Sequence, residues 1–388
     1  LTRDQPVYKD LDSRFSRQES IPGWSQPVLS SASILVAGAG AIGNETLKNL
    51  ALLGVGAVTI LDRDVVEASN LCRSVLFSNE EIGQPKAYAA ARGLKLLNPA
   101  TSIAPLHADL TTDVGAGLLA RHHLVLGCLD SIEARWKLNR LCCSANVPWI
   151  DAGLDATMGQ ISFFAGGDGP CYECGINASM WQRIHERRSC LLVQQNAPER
   201  PVATTVTIAA LTASLQVQEA IAQLHRHAHS PAATPQWPGL LPGDKVSVAV
   251  SPYNLSVFHT RRRNDCLAHR DEAGTVLSLP LSPQDVTADD LLLQCEADGL
   301  ELDWDVAVGL TCPSCRSESI CMPSWKLKKA DLVCSSCGRP RTPQWQSCIR
   351  RGSEAAHNTL RQLGVPDLAY LSLFTRDAHP LAVRLSES

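Results

Sequence analysis

From residue 34 to about 148, short apolar runs alternate with amphipathic stretches: SILVAGAG, NETLKNLALLG, AVTILDRD, QPKAYAAARGLKLL, SIAPLHA, DVGAGLLARH, HLVLGCLD, EARWKLNRLCCSA and VPWIDAG follow one another. The compact runs predict strands, and apolar spacing of three to four residues between them predicts helices. Strand, crossover helix and strand in repetition predict an α/β fold: a doubly wound, mostly parallel sheet with helices on both faces. Further on, KVSVAV and NLSVFHT alternate with period two, which predicts antiparallel strands closing that sheet. Ahead of both, ATTVTIAALTASLQVQEAIAQLHR is rich in small residues and apolar nearly all round, as a buried helix must be.

The flanks have another texture. Residues 1–33 are polar around IPGWSQP and predict an arm or short helices ahead of a main domain over 34–272. Within that domain a polar stretch over about 175–203 follows a cysteine pair, and the proline-rich segment HAHSPAATPQWPGLLPG predicts an exposed loop. Residues 273–388 hold short mixed segments around two further cysteine pairs, which predicts a separate small domain.

Composition narrows the function. A chain of 388 residues exceeds one ordinary core, and 35 basic against 39 acidic residues leave a net charge of -4, so no nucleic-acid partner is expected. No apolar run approaches the ~20 residues that span a bilayer, and no signal-peptide core is present, so a cytoplasmic protein without a membrane partner is expected. In a reducing compartment 15 cysteines point to metal binding or thiol chemistry rather than to a disulfide framework.

ILVAGAGAIGNETLKNL places Gly38, Gly40 and Gly43 between a strand and a helix. Such a turn lets backbone approach a phosphate, and the helix N-terminus adds N–H donors and a positive dipole end. Asp62, at the end of the next strand, is placed to accept ribose hydroxyls. NAD and ATP fit this much equally well. Arg73 and Lys86, on loops toward the same end of the sheet, favour a triphosphate, because a dinucleotide's phosphates are usually held by backbone amides.

Two kinds of metal signal follow. CYEC gives Cys171 and Cys174 at a spacing that grips one zinc, which is half of a four-ligand site. CPSC and CSSC, separated by 18 residues, give Cys312, Cys315, Cys334 and Cys337, a zinc-ribbon signature over 312–337 in which metal replaces a core.

The ordered string RFSRQ, GAGAIGNETLKNL, LDRDVV, SNLCR, GQPKA, LNP, CLDSIEARWKLNRLC, GQISFF and CYEC resembles the ubiquitin-activating-enzyme (ThiF/MoeB-like) superfamily across about residues 11 to 270. The resemblance implies a Rossmann-like adenylation domain using ATP and magnesium. Gly38, Gly40 and Gly43 would form the phosphate turn, with Ala41 standing where a further glycine is usual, and Asp62 would hold the ribose. Asn70, Arg73 and Lys86 would contact the phosphates, Asp130 would hold magnesium, and Asp64 and Ser131 would support them. Arg17 matches an arginine inserted into a partner protomer's site, which implies a homodimer. The family's second cysteine pair falls here at Cys266 and His269, so the resemblance completes a Cys3His zinc site with Cys171 and Cys174. It also makes the polar stretch a crossover loop carrying the reactive thiol. Cys190 is the cysteine there, beside Arg187 and Arg188, whose charge would favour the thiolate.

The expectation from sequence is therefore ATP-dependent activation of a ubiquitin-like protein: adenylation of its C-terminal carboxylate, thioester formation on Cys190 and transfer to a conjugating enzyme. The alternative is a sulfur-carrier adenylyltransferase of the molybdopterin or thiamine type. A dehydrogenase lacks any hydride-transfer constellation, and a silent scaffold would not keep the complete ATP and magnesium set. The extra C-terminal domain favours conjugation, and NTLRQLGVPDLAYLSLF resembles tails of bacterial members of the superfamily.

Overall fold

The computed structural model describes residues 13–167, 169–189, 203–228, 237–269, 276–315, 318–375 and 380–386, with backbone alone at 185–189, 228 and 380. The chain divides into two compact units, Leu1–Leu110 with Leu119–Gly175 and Pro201–His269, and Thr111–Leu118 with Ile176–Arg200 and Arg270–Ser388.

The first unit is built on an eight-stranded sheet. Its strands are β1 (Ser33–Ala37), β2 (Ala57–Leu61), β3 (Ser102–Leu106), β4 (Leu124–Gly127), β5 (Trp149–Leu154), β6 (Met158–Phe164), β7 (Asp244–Val250) and β8 (Tyr253–His259), in the order β3-β2-β1-β4-β5-β6-β7-β8. The first five run parallel and the last three are added antiparallel. β1 and β4 are apolar without alternation because helices cover both faces. β3 is a partly exposed edge, which tolerates Pro105 where a central strand would not. Strand order reverses between β1 and β4, and a crevice at the carboxyl ends of such strands is where open α/β sheets take ligands.

Helices Ala41–Leu53, Lys86–Leu97, Ile132–Ala145 and Val206–Ala228 pack on this sheet. The first ends where Gly54, at φ +79°, takes the left-handed conformation of a C-cap. The Val206–Ala228 helix is the buried one, and its polar residues have work to do. Gln216 Nε2 donates to Gly127 O at 3.0 Å and Ile150 O at 2.9 Å, while its Oε1 accepts from Thr46 Oγ1 at 3.0 Å. Carbonyls at the end of β4 and near the start of β5 are thereby satisfied inside the core. The N-terminal segment forms two short helices, Ser16–Glu19 and Gln26–Ser31.

The second unit is more regular than its sequence suggests. β9 (Leu277–Leu279), β10 (Gly299–Thr311), β11 (Glu318–Pro323), β12 (Thr342–Arg350), β13 (Tyr370–Phe374) and β14 (Pro380–Leu385) form a six-stranded sheet with its own apolar core around Leu291, Leu300, Val306, Leu363 and Val383. The alternation is hard to read because β10 bulges and pairs with three strands. The segment Thr111–Leu118 belongs to this unit. Gly117 N–H donates to Leu368 O at 2.9 Å, and a Cβ on Gly115 would fall 2.3 Å from Asp367 O, so glycine lets the two backbones meet. Among the described residues no helix is long and apolar enough to cross a membrane.

Candidate adenylation site and metal clusters

β1 delivers the chain into the glycine turn at the reversal point, and the three glycines have different jobs. Gly38 turns the chain at φ +98°, and a Cβ there would lie 2.4 Å from Cys128 O. A Cβ on Gly43 would lie 2.0 Å from Gly38 O, so the first helical turn packs directly on the turn backbone. Gly40 has nothing within 4 Å of the place where a Cβ would stand, and it is the N-cap of a 13-residue helix with no side-chain cap. Open space in front of uncapped amides suits a phosphate. Ala41 is the first helical residue, so its methyl stands on the helix and leaves the turn intact.

Asp62 pegs this turn. Its Oδ2 accepts from Ala39 N–H at 2.7 Å and its Oδ1 from Asp64 N–H at 2.7 Å. Burial raises its pKa above the ordinary 3.8, opposed by the Ala39 amide and by the Lys86 charge. Lys86 is the first residue of its helix rather than a loop residue, and its Nζ lies 2.9 Å from Asp64 Oδ2. Arg73 ends a 3-10 turn, Ala68–Arg73, with its guanidinium 3.0 Å from Ser69 O. Asn70 is buried, and its Oδ1 accepts from Glu67 N–H at 2.9 Å to cap that same turn. Asp130 is exposed three residues past the end of β4, and Ser131 is a helix N-cap whose Oγ accepts from Ala134 N–H at 3.1 Å. Asp130 is thus an exposed carboxylate past the end of β4, the strand beside β1, and carboxylate oxygen is the donor type that magnesium takes.

Arg17 stands apart from these groups. Gln18 Nε2 donates to Leu53 O at 3.0 Å, and Phe15 packs where a Cβ on Gly54 would be. Arg17 is therefore fastened at the C-terminal end of the Ala41–Leu53 helix, whose 13 residues span about 20 Å from the turn at its other end.

Cys171, Cys174, Cys266 and His269 converge, with their ligand atoms all within 4.8 Å of one another. Cys171 Sγ lies 3.8 Å from Cys174 Sγ and 3.7 Å from Cys266 Sγ, and Cys174 Sγ lies 3.4 Å from His269 Nε2. A tetrahedron with zinc–sulfur arms of about 2.3 Å has edges of about 3.8 Å, so the sulfur spacing fits zinc. The neighbouring Cys143 and burial push the Cys171 thiol up to about 12, and contact with Cys171 raises Cys266. Packed thiols of this kind need a cation to ionise together.

Cys312, Cys315, Cys334 and Cys337 form the second cluster, again within 4.8 Å. Cys312 follows β10, and Cys334 and Cys337 lie in the turn before β12. Amides of Ser336 and Cys337 pull Cys334 down to about 6, while Cys337 and Cys334 beside it push Cys315 up to about 12.

The profile of the ThiF family matches residues 15–261, more than half of the chain. The chain belongs to the ThiF family. The molybdopterin-synthase adenylyltransferase of Escherichia coli (strain K12) is 39% identical over 165 residues, 42% of this chain and 66% of that enzyme. The adenylyltransferase and sulfurtransferase MOCS3 of Sus scrofa is 37% identical over 164 residues, 42% of this chain and 36% of that protein. SUMO-activating enzyme subunit 2 of Dictyostelium discoideum is 39% identical over 147 residues, 38% of this chain and 22% of that protein. The matches thus span less than two thirds of each relative. Among solved structures, E. coli MccB with ATP superposes with a TM-score of 0.53 at 21% identity, covering 67% of this chain and 75% of that one, which is a likeness of fold.

Within this ThiF-family unit several residues escaped the sequence reading. Asn44 donates to Ala39 O at 2.7 Å and accepts from Leu76 N–H at 2.9 Å, tying the glycine turn to the next loop. Arg135 and Asp151 form a buried ion pair at 3.0 Å. Both Asn44 and Arg135 lie inside strings that carry the family resemblance, so the signal was present without a role attached. Cys128 is buried against Thr46 and Gln216, and desolvation pushes its thiol up to about 12, as a wall residue requires. Cys190 lies outside the described residues. Next to it, Ala178–Ser189 forms a helix within the stretch expected as a loop.

Proposed function

We propose that this chain is an ATP-dependent adenylyltransferase that activates the C-terminal carboxylate of a ubiquitin-like protein, and that the activated product serves sulfur transfer. The observation that carries the reading is the open Gly40 turn pegged by Asp62 at the strand-order reversal, with Lys86 paired to Asp64 and Asp130 just past the end of β4, the strand beside β1. In this reading the turn amides, Arg73 and Lys86 hold the triphosphate. The carboxylate oxygen attacks the α-phosphorus, the bond to the bridging oxygen breaks, and pyrophosphate leaves with its charge met by these cations. Magnesium, held by Asp130, would supply further charge neutralisation. Cys171, Cys174, Cys266 and His269 would hold one structural zinc, and the ribbon cysteines a second.

The order of the two product fates expected from sequence is reversed here. Sulfur transfer now stands ahead of passage to a conjugating enzyme, because the adenylyltransferase and the adenylyltransferase–sulfurtransferase above support it by name and identity. The similarity to SUMO-activating enzyme subunit 2 favours thioester transfer as the second reading, with Cys190 as its nucleophile.

Arg17 is read as acting on a partner protomer, supported by its attachment a helix length from the turn of its own chain. The test is pyrophosphate exchange dependent on a ubiquitin-like protein, followed by mass spectrometry of the product. A C-terminal thiocarboxylate in the presence of a sulfur donor, unaffected by Cys190→Ala, supports sulfur transfer. A thiol-labile enzyme adduct abolished by Cys190→Ala supports conjugation, and absence of exchange with any such protein overturns the adenylation reading.

A further inference from the structure

Asp130 is exposed on the loop leaving β4, and its carboxylate feels the charges of Arg63 and Arg135. Its backbone is fixed from both sides. Ser131 caps the Ile132–Ala145 helix, and one turn into that helix Arg135 reaches back: Nη2 donates to Leu129 O at 2.5 Å and to Ala152 O at 3.3 Å. The same guanidinium donates through Nε to Asp151 Oδ1 at 3.0 Å. Asp151 sits in β5 opposite Gly127, the last residue of β4, and the two side chains are 14% and 4% exposed. A Cβ on Gly153 would stand only 3.1 Å from Arg135 Nη2, so the bare backbone of β5 makes room for the guanidinium.

This arrangement is costly as a mere structural pair. A buried ion pair gains little over an apolar pair of equal volume, because desolvation offsets the attraction. Arginine supplies something an apolar pair cannot, a planar fork whose arms serve a carboxylate and two backbone carbonyls at once. One of those carbonyls belongs to the peptide that joins Leu129 to Asp130. Preorganised groups behind a metal-holding carboxylate typically change metal affinity by about ten- to a hundredfold.

We infer that Arg135, locked by Asp151, is a positioning residue for Asp130: it holds the Leu129–Asp130 peptide so that the Asp130 carboxylate meets the divalent cation carried by ATP. The inference rests on the reading of Asp130 given above. Its test is ATP affinity of the full chain by calorimetry, measured in magnesium and again in EDTA. Arg135→Lys, which keeps the charge and loses the fork, is expected to weaken binding about tenfold in magnesium and to leave binding in EDTA unchanged. Asp151→Asn is expected to do the same to a smaller degree, and serves if the lysine variant does not fold, which a melting curve decides. Asp130→Asn is expected to lose at least as much, and the Asp130→Asn, Arg135→Lys double variant no more than Asp130→Asn alone. Equal losses with and without magnesium, or additive losses in the double variant, would overturn the positioning role. Loss in Asp130→Asn with none in Arg135→Lys or Asp151→Asn overturns this inference alone. An unchanged magnesium effect in Asp130→Asn removes the reading of Asp130 and the inference with it.

Discussion

Arg140 grips Glu173 with both ends of its guanidinium: Nε bonds Oε1, and Nη2 lies 3.1 Å from Oε2, with the Glu173 side chain 1% exposed. Glu173 lies between the paired cysteines of CYEC, and Tyr172 N–H donates to Asn139 Oδ1 at 2.9 Å one residue earlier. The Ile132–Ala145 helix is therefore bolted at one end to the first cysteine cluster and capped at the other beside Asp130.

Arg140→Ala tests that bolt. Removing the cation leaves a buried carboxylate without its partner, and breaking such a pair costs about 3–5 kcal/mol. The measurement is urea unfolding of the metal-loaded chain. Glu173→Gln on the same background is expected to recover part of the loss, because the uncompensated charge is then gone. If Arg140→Ala alone costs under about 1 kcal/mol, the pair behaves as a surface ion pair and the bolt is not structural.

The glycine turn yields a contrast between neighbours. Gly43→Ala drives a methyl into Gly38 O, 2.0 Å away, and is expected to cost about 3 kcal/mol or more in stability. Gly40→Ala has open space and an ordinary φ of -72°, so unfolding should shift by no more than about 0.5 kcal/mol. Its methyl would nevertheless stand in the phosphate opening, and ATP affinity should fall more than about tenfold, or about 1.4 kcal/mol. Calorimetry with urea unfolding separates the two. A Gly40→Ala protein that binds ATP normally would count against this opening as the phosphate cradle.

The contrast also shows what sequence can carry. Three glycines between a strand and a helix announce a close backbone approach, but only the packing of Cys128 and Gly38 separates the glycines that permit the turn from the one that leaves room. The parallel sheet was legible because β1 and β4 are short, continuous apolar runs and the crossovers are amphipathic. The second sheet was not, because β10 is bulged and irregularly buried, so its period-two signal is broken. Lys86 reads as a loop cation, yet it is the first residue of a helix whose N-cap is Pro85. The convergence of Cys266 and His269 on Cys171 and Cys174 joins residues 95 apart in sequence, which spacing cannot derive and family resemblance could.

Asp62 gives a pH dependence with a definite sign. Its carboxyl is raised above 3.8 in the folded chain, mainly by burial, so the folded state binds that proton more tightly than the unfolded state. Its contribution to stability is full below the unfolded value and is lost as pH rises through the raised folded value. Asp62→Asn removes this slope while losing one of two acceptors for the Ala39 and Asp64 amides. The variant should be less stable than the parent in mild acid, and the gap should narrow as pH rises from about 4 toward 7. Unfolding free energies across that range provide the check, and a gap that widens with pH would mean the folded carboxyl is not raised.

Metal content should follow the two clusters. Zinc analysis of the purified chain is expected to give two ions, one for each four-residue group. Cys171→Ser or His269→Ala should remove one and Cys334→Ser the other, while His269→Cys should keep both, since imidazole and thiolate are both ordinary zinc ligands. Acidification should release metal, because protons compete for thiolate and imidazole. One ion per chain, lost from a variant in either cluster, would instead point to a shared site.

Arg17 permits a test that separates its own chain from a partner. It is fastened near Leu53, about 20 Å along the helix from Gly40, farther than an arginine side chain reaches. Arg17→Ala and Asp130→Asn should each abolish adenylation as separate proteins. Mixed and allowed to exchange subunits, they should regain activity: the site that keeps Asp130 in one chain receives the intact arginine of the other. Recovery is limited to mixed dimers, one site in each, so the equimolar mixture should approach about a quarter of the parent's rate, as random pairing of two subunit types into a closed dimer requires. If Arg17 served its own chain, every site in the mixture would still lack either the arginine or the carboxylate. Silence in the mixture, with mixed dimers demonstrated by differential tagging, would assign Arg17 to its own protomer.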